Sequence, residues 1–440
     1  MLKRKMYQKL KEWRSTKERE CLLIKGARQI GKTTIVREFG KNEYKSFIEI
    51  NFLKNPDLKS IFQGSLEPEE IYKRITAVMN KVNLIPGNTL IFLDEIQKCA
   101  SARTALKFLA EDDRYDVISS GSLLGLHYGD DADPEVEKVE SVPVGYEQQI
   151  TMYSMDFEEY LWANEYTEEA IGIVRAYYEK KEKVPELINE KYKTMLREYS
   201  VVGGMPEVVA SFCEYRDFGR VQQIQEKILA AYDDDIAYHA KGEQKTKVRN
   251  CYRTIPSQLA RENKKFKYSE VEKKSTGRKY KDSIEWLRDS NLVHVCHNVY
   301  EPVLPLRANE KENEFKLYLN DTGLLMALYG KETKLSMLQN TIKGNAKGGI
   351  FENLISEMLV KNGYRLYYYK RPDSTQEIEF LTERNGSVVP LEVKAGNNAS
   401  ESMNRFIAEY HPEEAIKLVD GNVGEIGTKT TLPHYMAMFL

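Results

Sequence analysis

The feature that most constrains this chain is a glycine-bounded loop near its N terminus, in which Gly26 is followed after four residues by Gly31, Lys32 and Thr33. An apolar run that suits a buried parallel strand precedes the loop, and a helical pattern follows it. In that context backbone N–H groups point at one anion, Lys32 supplies positive charge to the phosphates, and Thr33 ligates magnesium. The loop, a Walker A motif, therefore predicts a nucleoside triphosphate site. Its expected binding residues are Gly26, Ala27, Arg28, Gln29, Ile30, Gly31, Lys32, Thr33 and Thr34.

A second apolar strand pattern, residues 89–93, ends in two adjacent carboxylates, Asp94 and Glu95, as in a Walker B motif. Unpaired charges are costly in a core, but they are useful at the carboxyl edge of a parallel sheet, where ligands bind. We expect Asp94 to hold the magnesium and Glu95 to polarise the attacking water. Glu95 and Lys32 are thus predicted catalytic residues, and Thr33 and Asp94 are predicted magnesium ligands.

The next strand pattern ends in small hydroxyl residues, and a hydroxyl at the tip of that strand can sense the γ-phosphate or orient the water. Ser120 and Ser122 are both candidates for this role, and we predict Ser122 as the third catalytic residue. The alternative for either serine is a position in an ordinary turn with no role in catalysis. No Asn-Lys-x-Asp guanine-recognition motif follows, which favours ATP over GTP. The expected cofactors are ATP and Mg2+.

These motifs carry a resemblance to a known family. The segments GARQIGKTT, FLDEIQ and SGS resemble the prokaryotic AAA-type ATPases of the AAA+ superfamily that carry a C-terminal domain of uncharacterised function. The resemblance covers nearly the whole chain in the expected order. Its further segments are Val202–Val208, Tyr232–Ile236, Phe315–Leu324, Phe351–Asn353 and Leu391–Lys394.

Length and composition bound the organisation of the chain. A chain of 440 residues is too long for one core, so we expect three or four domains. Lys and Arg number 65 against 67 Asp and Glu, so any DNA contact must come from a local patch. The five cysteines have no close partner in sequence, and the longest apolar runs are far below the ~20 residues of a membrane helix. We therefore expect a cytoplasmic protein with no membrane partner.

The predicted domain boundaries follow changes in sequence pattern. Residues 1–162 are assigned to the ATPase core, and the helical stretch 163–240 resembles the lid that follows an AAA core. Residues 241–335 are assigned to a winged-helix-like domain and residues 336–440 to a nuclease-like domain. Within the lid, the members of Asp233–Asp235 fan out around a predicted helix, so this triplet is interpreted as a solvated face.

The winged-helix interpretation rests on two helix patterns, at 266–271 and 281–290, followed by two strand patterns. Basic residues beside the second, candidate recognition helix suit phosphate contacts, so double-stranded DNA is a predicted partner. The alternative is a winged helix used for packing or protein contact. The basic residues are Lys264, Lys265, Lys267, Lys273, Lys274, Arg278, Lys279 and Lys281.

The C-terminal domain contains a hairpin signal, Asn-Gly at 385–386 between two strand patterns. With these as the turn residues, Glu379 lies opposite Glu392, and Lys394 points to the same face as Glu392. Opposed carboxylates repel, and a divalent cation would reverse the sign of that interaction. With Glu352 from the preceding helix, the arrangement resembles the (D/E)…(D/E)xK core of restriction-like nucleases. It predicts a second magnesium site at Glu352, Glu379 and Glu392, with Lys394 beside it.

The predicted fold class is α/β: a P-loop AAA+ parallel sheet with a helical lid, a winged-helix domain and a restriction-nuclease-like α/β domain. Two functions stay open. In the first, ATP hydrolysis drives a conformational switch coupled to DNA binding and DNA cleavage. In the second, the chain is a nucleotide-controlled regulator of a protein or DNA partner, with an inactive nuclease-like domain. Neither Arg103 nor Arg114 has a diagnostic arginine-finger spacing, so monomer, dimer and ring are all open.

Overall fold

The structure is a computed structural model. It describes residues 2–440 apart from 17–19, 81, 123–144, 241, 274, 276, 374–375 and 397–400. The described residues form a five-stranded sheet near the N terminus, a helical layer in the middle of the chain and an eight-stranded sheet near the C terminus.

The five-stranded sheet is entirely parallel and has the spatial order β2-β3-β4-β1-β5. This order brings the carboxyl ends of β1, β4 and β3 together in the middle of one edge, which is the usual location of a ligand site in such sheets. The predicted parallel α/β sheet is therefore confirmed. Its strands are β1 (Cys21–Gly26), β2 (Ser46–Asn51), β3 (Thr89–Asp94), β4 (Asp116–Ser122) and β5 (Glu147–Thr151).

Helices cover both faces of this sheet, and the alternation of apolar side chains along β3 shows how. Leu90 and Phe92 pack in one cluster with Ile35 of α2, whereas Ile91 and Leu93 pack in the other. Both faces of a parallel strand are buried in this way, so the strand is a continuous apolar run in the sequence. The helices are α1 (Lys5–Ser15), α2 (Lys32–Glu43), α3 (Pro68–Val78) and α4 (Ala100–Asp112).

A helical layer follows the first sheet. Its first helix starts with a capping box, in which Asp156 accepts from the Glu159 backbone and Glu159 accepts from the Asp156 backbone. The layer includes the predicted lid, residues 163–240, and extends beyond it at both ends. The lid assignment itself stays a prediction. Its helices are α5 (Phe157–Ala163), α6 (Glu168–Lys180), α7 (Glu186–Val202), α8 (Pro206–Tyr215), α9 (Phe218–His239) and α10 (Gly242–Leu259).

The two helices and the hairpin on which the winged-helix prediction rests are present in the expected order. The helices are α11 (Tyr268–Val271) and α12 (Gly277–Asp289), and the strands are β6 (Val293–Val299) and β7 (Glu310–Leu319). Strand β6 also pairs in parallel with β8, at His297 and Tyr367. The hairpin is therefore part of the C-terminal sheet, which runs across the boundary predicted at residue 335.

The eight-stranded sheet has the order β12-β13-β11-β10-β9-β8-β6-β7. Three helices stand between β7 and β8 in the sequence, and one follows β10. These helices are α13 (Thr322–Tyr329), α14 (Lys331–Leu338), α15 (Gly344–Lys361) and α16 (Glu401–Tyr410). The remaining strands are β8 (Tyr367–Lys370), β9 (Glu377–Arg384), β10 (Ser387–Val393), β11 (Ala415–Val419), β12 (Gly424–Ile426) and β13 (Lys429–Pro433).

The β9–β10 hairpin has the predicted register. Its pairs run from Arg384 with Ser387 to Phe380 with Leu391, which places Glu379 and Glu392 next in line. The turn residues at 385–386 have φ values of 49° and 76°. Positive φ at both central residues is what a type I′ hairpin turn requires, and Asn-Gly supplies it at low cost.

Two further findings concern the described part of the chain. No helix there is long and apolar enough to cross a membrane. The five cysteines are free thiols, and Cys213 is the member that is not buried. The buried thiols behave as small apolar side chains in the core.

The three regions meet where two glycines pack backbone to backbone. A Cβ built on Gly323 would lie 2.6 Å from the Gly203 Cα, and one built on Gly204 would lie 2.0 Å from the carbonyl oxygen of Met155. The buried Asp321 carboxylate accepts a hydrogen bond of 2.8 Å from the Gly204 N–H. The glycine pair at 203–204 is therefore required by close approach between segments distant in sequence.

A buried ion pair lies beside this junction. Glu357 on α15 is completely buried and accepts hydrogen bonds from the Tyr199 hydroxyl at 2.7 Å and the Thr322 N–H at 2.9 Å. Its partner Lys361 lies 2.5 Å away and also donates to the Met155 carbonyl oxygen at 3.0 Å. These contacts join α15 to α7, to α13 and to the segment that follows β5. The additional hydrogen bonds offset the desolvation of the two charges.

The glycine junction generates a stability prediction. Gly323→Ala is expected to lower the free energy of unfolding by about 1–3 kcal/mol, because the added methyl group meets backbone that cannot rotate away. Gly172→Ala is the matched control, since Gly172 is also helical and a Cβ there meets nothing within 4 Å. It is expected to raise the free energy of unfolding by up to about 1 kcal/mol. Denaturant titration of both variants measures the difference, and equal shifts would contradict the packing argument.

Candidate nucleotide site and C-terminal acidic site

The loop between β1 and α2 is shaped by glycines at its two ends. Gly31 has a φ of 92°, in the left-handed region, and a Cβ on Gly26 would lie 2.3 Å from the Met152 carbonyl oxygen. Helix α2 begins at Lys32, so its unpaired N–H groups and positive dipole end are adjacent to the loop. A loop and helix end in this arrangement bind phosphate.

Lys32 is folded back over the loop. Its ammonium donates to the carbonyl oxygens of Gly26 at 3.0 Å and Ala27 at 2.8 Å. Burial lowers the pKa of Lys32 to about 8, although the nearby Glu95 and Asp94 carboxylates oppose this shift. An anion at the loop would therefore find a desolvated ammonium whose positive charge the bound phosphate stabilises.

Asp94 is held by three polar neighbours. The Thr33 hydroxyl lies 3.1 Å from its Oδ2, Asn51 Nδ2 donates to the same oxygen at 2.7 Å, and the Ser120 hydroxyl donates to Oδ1. Hydroxyl and carboxylate oxygens are ligands that Mg2+ prefers, so Thr33 and Asp94 fit the predicted ion. Asn51 was not predicted; its position at the end of β2, the strand next to β3, is the signal that could have indicated it.

Glu95 follows directly after β3 with a φ of 57°, and it is half-buried. Its carboxylate accepts a hydrogen bond of 2.6 Å from Gln97 Nε2. Ser122 ends β4, where its backbone pairs with Gly26, but its side chain lies outside what the structure describes. The Ser122 role thus stays a prediction, while the alternative candidate, Ser120, contacts the expected magnesium ligand.

The two arginines considered as possible arginine fingers, Arg103 and Arg114, have acidic partners within the chain. Arg103 lies 3.5 Å from Glu147, and Arg114 pairs with Glu69 at 2.6 Å and with Asp112 at 2.9 Å. Neither contact identifies an arginine finger, and the oligomeric state stays open.

Helix α9 contributes a residue that sequence reasoning misjudged. Asp235 is 6% exposed and forms an ion pair with Arg28 of the loop, so the interpretation of a solvated face was wrong for this residue. Asp233 pairs with Arg253 at 2.5 Å, and Asp234 is the exposed member of the triplet. No local pattern indicates this difference, because the partner of Asp235 lies 207 residues away in the chain.

The predicted DNA-binding lysines are largely engaged in ion pairs. Lys264 binds Glu352 at 2.9 Å, Lys265 binds Glu314 at 3.0 Å, and Lys279 binds Glu272 at 2.7 Å. The side chains of Lys274 and Arg278 lie outside the described residues. Lys267 and Lys273 are exposed.

In the C-terminal domain, Glu352 on α15 is 3% exposed and has three partners. Lys264 lies 2.9 Å from Oε1, while Lys316 at 3.4 Å and the Tyr318 hydroxyl at 3.0 Å contact Oε2. Both carboxylate oxygens are therefore already hydrogen bonded or ion paired.

Glu379 and Glu392 share one lysine. The Lys394 ammonium lies 3.2 Å from Glu379 and 3.1 Å from Glu392. Glu392 is completely buried, and apart from the Lys394 ion pair its carboxylate oxygens have no hydrogen-bond partner among the described residues. Burial raises the pKa of Glu379, and the Glu352 and Glu392 carboxylates add to this effect against Lys394. Glu379 and Glu392 are thus neighbours with Lys394 between them, and Glu352 acts on Glu379 through its charge.

This geometry bears on the predicted second magnesium site. The incompletely satisfied Glu392 carboxylate is of a type that could accept a cation. However, within the described ranges no group of three or more His, Cys, Asp or Glu side chains is arranged to hold a metal ion. Lysines supply the neutralising charge in this arrangement, and a metal at Glu352, Glu379 and Glu392 stays a proposal.

Comparison with known families assigns the first part of the chain. Residues 18–161 match the AAA domain family. This region has the parallel P-loop sheet and the sequence match of an AAA-type domain. Residues 193–335 match a domain of unknown function (DUF8612), and residues 347–429 match a second one (DUF4143). A search of curated proteins finds no significant match.

Several solved structures are distantly similar. A Walker-type ATPase of Pyrococcus abyssi is 14% identical over 75% of this chain and 96% of its own, with a TM-score of 0.43. The Orc1 protein of Aeropyrum pernix, solved in complex with DNA, is 13% identical over 75% of this chain and 91% of its own, with a TM-score of 0.29. A DNA replication initiation factor covers 64% of this chain and 85% of its own at 14% identity and a TM-score of 0.22. TM-scores below 0.5 carry no argument about this protein, so the description of residues 18–161 rests on the family match and on the geometry of the loop.

The raised pKa of Glu379 generates a prediction about pH. A carboxyl whose pKa is higher in the folded than in the unfolded state contributes stability at acid pH, and this contribution is lost as the pH rises through the raised value. The wild type is therefore expected to lose about 1 kcal/mol or more between pH 5 and pH 8 relative to Glu379→Gln, which carries no titrating group. Denaturant unfolding at both pH values measures this difference.

The control for this comparison is Glu401→Gln, because Glu401 is exposed on α16. Its pH dependence should match that of the wild type. The same pH dependence in wild type and Glu379→Gln would show that Glu379 titrates as an ordinary carboxyl.

Proposed function

We propose that this protein hydrolyses ATP with Mg2+ and uses the cycle to switch the conformation of the regions beyond residue 162. The observation that carries the proposal is the convergence at one sheet edge of the loop, Lys32, the Thr33–Asp94 pair and Glu95. Phosphoryl transfer to water requires groups that bind the phosphates, hold the metal ion and polarise the water, and these residues are of the types that fill those three roles.

Each residue has a role in this proposal. Backbone N–H groups of 26–34 and the Lys32 ammonium bind the phosphates, and Thr33 and Asp94 hold the ion that neutralises developing charge. Asn51 and Ser120 orient the Asp94 carboxylate through their hydrogen bonds. Glu95 polarises the attacking water as a general base. Ser122 is the remaining proposed catalytic residue, at the end of β4.

The contacts around the ATPase domain support a switch. Met155, four residues after the end of β5, contacts both Gly204 and Lys361. Movement of this segment would therefore displace the helical layer through its backbone contact with Gly204, and α15 through its hydrogen bond with Lys361. We keep the assignment of residues 1–162 to the ATPase core, 163–240 to a lid, 241–335 to a winged-helix-like region and 336–440 to a nuclease-like region, with the last two joined in one unit by the eight-stranded sheet.

The first candidate for the output of the switch is action on DNA. The helix, helix and hairpin order of α11, α12, β6 and β7 supports a winged helix, and the exposed Lys267 and Lys273 supply charge for phosphate contacts. The acids Glu379 and Glu392 opposite each other, with Lys394 beside them, support a metal-dependent nuclease. DNA cleavage would require Lys394 to leave its position between the two carboxylates.

The second candidate is regulation of a protein or DNA partner without cleavage. It is favoured by the lysines that already neutralise Glu352 and Glu379. A domain in which each acid has a lysine neighbour is stable without metal and can serve as an interaction platform.

The ATPase proposal is tested by phosphate release from ATP and Mg2+. Wild type is expected to turn over, Lys32→Ala to lose binding and turnover, and Glu95→Gln to retain binding while turnover falls by 100-fold or more, roughly the contribution of a general base. Binding of a fluorescent ATP analogue separates the two variants. A Glu95→Gln variant that hydrolyses ATP at the wild-type rate would remove Glu95 from the mechanism.

Double-stranded DNA added to the same assay separates the two outputs. Stimulated turnover with cut DNA, and cuts that disappear in Glu392→Ala while turnover remains, would support the nuclease. Turnover that is indifferent to DNA, with the DNA intact, would contradict both DNA binding and cleavage and leave the protein-partner candidate.

A further inference from the structure

We propose that Asp235 makes helix α9 part of the nucleotide site: its carboxylate holds Arg28 of the phosphate loop, and a bound triphosphate competes with Asp235 for that guanidinium. The inference rests on the proposed ATP site and adds to it a positioning residue from outside the ATPase domain.

The position of the pair is the first argument. Arg28 lies between Gly26 and Gly31, so its side chain starts from the loop that surrounds the phosphates. Apart from Lys32, it is the one cation among residues 26–34. Its Nη1 pairs with Asp235 Oδ1, and the side chains are 39% and 8% exposed respectively. The guanidinium can therefore leave Asp235 for another anion, whereas the carboxylate is fixed in a mostly buried place.

The electrostatics of the surrounding groups is the second argument. Arg28 and Asp235 both act on the pKa of Lys32, Arg28 lowering it and Asp235 raising it, and Glu95 raises the pKa of Asp235. The four charges therefore belong to one site. Guanidinium groups bind phosphate oxygens in a bidentate manner, and the triphosphate carries more charge than one carboxylate. A nucleotide at the loop is thus a stronger partner for Arg28 than Asp235.

Loss of Arg28 has a cost for Asp235. Burial raises the pKa of Asp235 to about 6 even with Arg28 in place. Without the guanidinium, a buried carboxylate beside Glu95 is unfavourable, and α9 must shift or the acid must take up a proton. Either response transmits the presence of the nucleotide to the helix.

Helix α9 is well placed to pass on such a shift. Asp233, on its other side, binds Arg249 at 3.3 Å and Arg253 at 2.5 Å, both on α10. The same helix carries Gln225, which donates to the carbonyl oxygens of Val201 and Val202 beside the glycine junction. Helix α9 thus contacts the phosphate loop through Asp235, helix α10 through Asp233, and the glycine junction through Gln225.

The test measures ATP and ADP binding to the full chain by calorimetry. Asp235→Asn keeps the shape of the side chain but removes the competing charge, so ATP should bind several-fold more tightly. Arg28→Gln should bind ATP several-fold more weakly. The double variant should bind ATP like Arg28→Gln, because the guanidinium for which Asp235 and the triphosphate compete is then absent. The matched control, Asp234→Asn, removes an exposed charge from the same helix turn and should bind like wild type.

A purely structural role for Asp235 gives a different pattern. In that case Asp235→Asn lowers the thermal unfolding midpoint and leaves ATP affinity unchanged, which would overturn the inference. If Asp235→Asn does not fold, Arg28→Gln decides, because the Arg28 side chain is partly exposed; unchanged affinity for ATP would also overturn it. Absence of ATP binding by the wild type overturns the proposed function itself, so the two failures are distinguishable.

Discussion

The buried ion pair between Glu357 and Lys361 is the interaction on which the arrangement of the three regions depends. It lies where the segment after β5, helix α7 and helix α15 meet, and it receives hydrogen bonds from the Tyr199 hydroxyl and the Thr322 N–H. Removal of one partner from a buried pair costs about 3–5 kcal/mol, because the other charge is left unpaired. A junction of this kind is rigid while all of its hydrogen bonds are made.

The same principle of buried charge explains both candidate sites, with opposite outcomes. At the nucleotide site, Lys32 is desolvated, and its hydrogen-bond partners among the described residues are the carbonyl oxygens of Gly26 and Ala27, which leaves the ammonium available to an anion. At the C-terminal site, Lys394 lies between Glu379 and Glu392, so the charge that a metal would supply is already present. The first site is therefore built for a ligand, and the second is built for internal neutralisation unless Lys394 moves.

The continuous eight-stranded sheet changes how the C-terminal half is viewed. The β6–β7 hairpin, expected as the wing of a separate domain, pairs with β8. Lys264, which lies between α10 and α11, and Lys316, on β7, both contact Glu352 on α15. The region predicted to bind DNA, residues 241–335, therefore shares a sheet and the Glu352 cluster with the region predicted to cleave it. The two regions form one structural unit.

Local sequence patterns were sufficient to predict three elements: the phosphate loop between strand and helix, the apolar strand ending in Asp94 and Glu95, and the hairpin register set by Asn385 and Gly386. In each, backbone conformation and side-chain period fix the outcome within about ten residues. Which charges come into contact depends on the fold as a whole. Asn51 beside Asp94 and Asp235 on Arg28 are contacts between segments distant in sequence. Their energies depend on burial and distance, which no local pattern encodes.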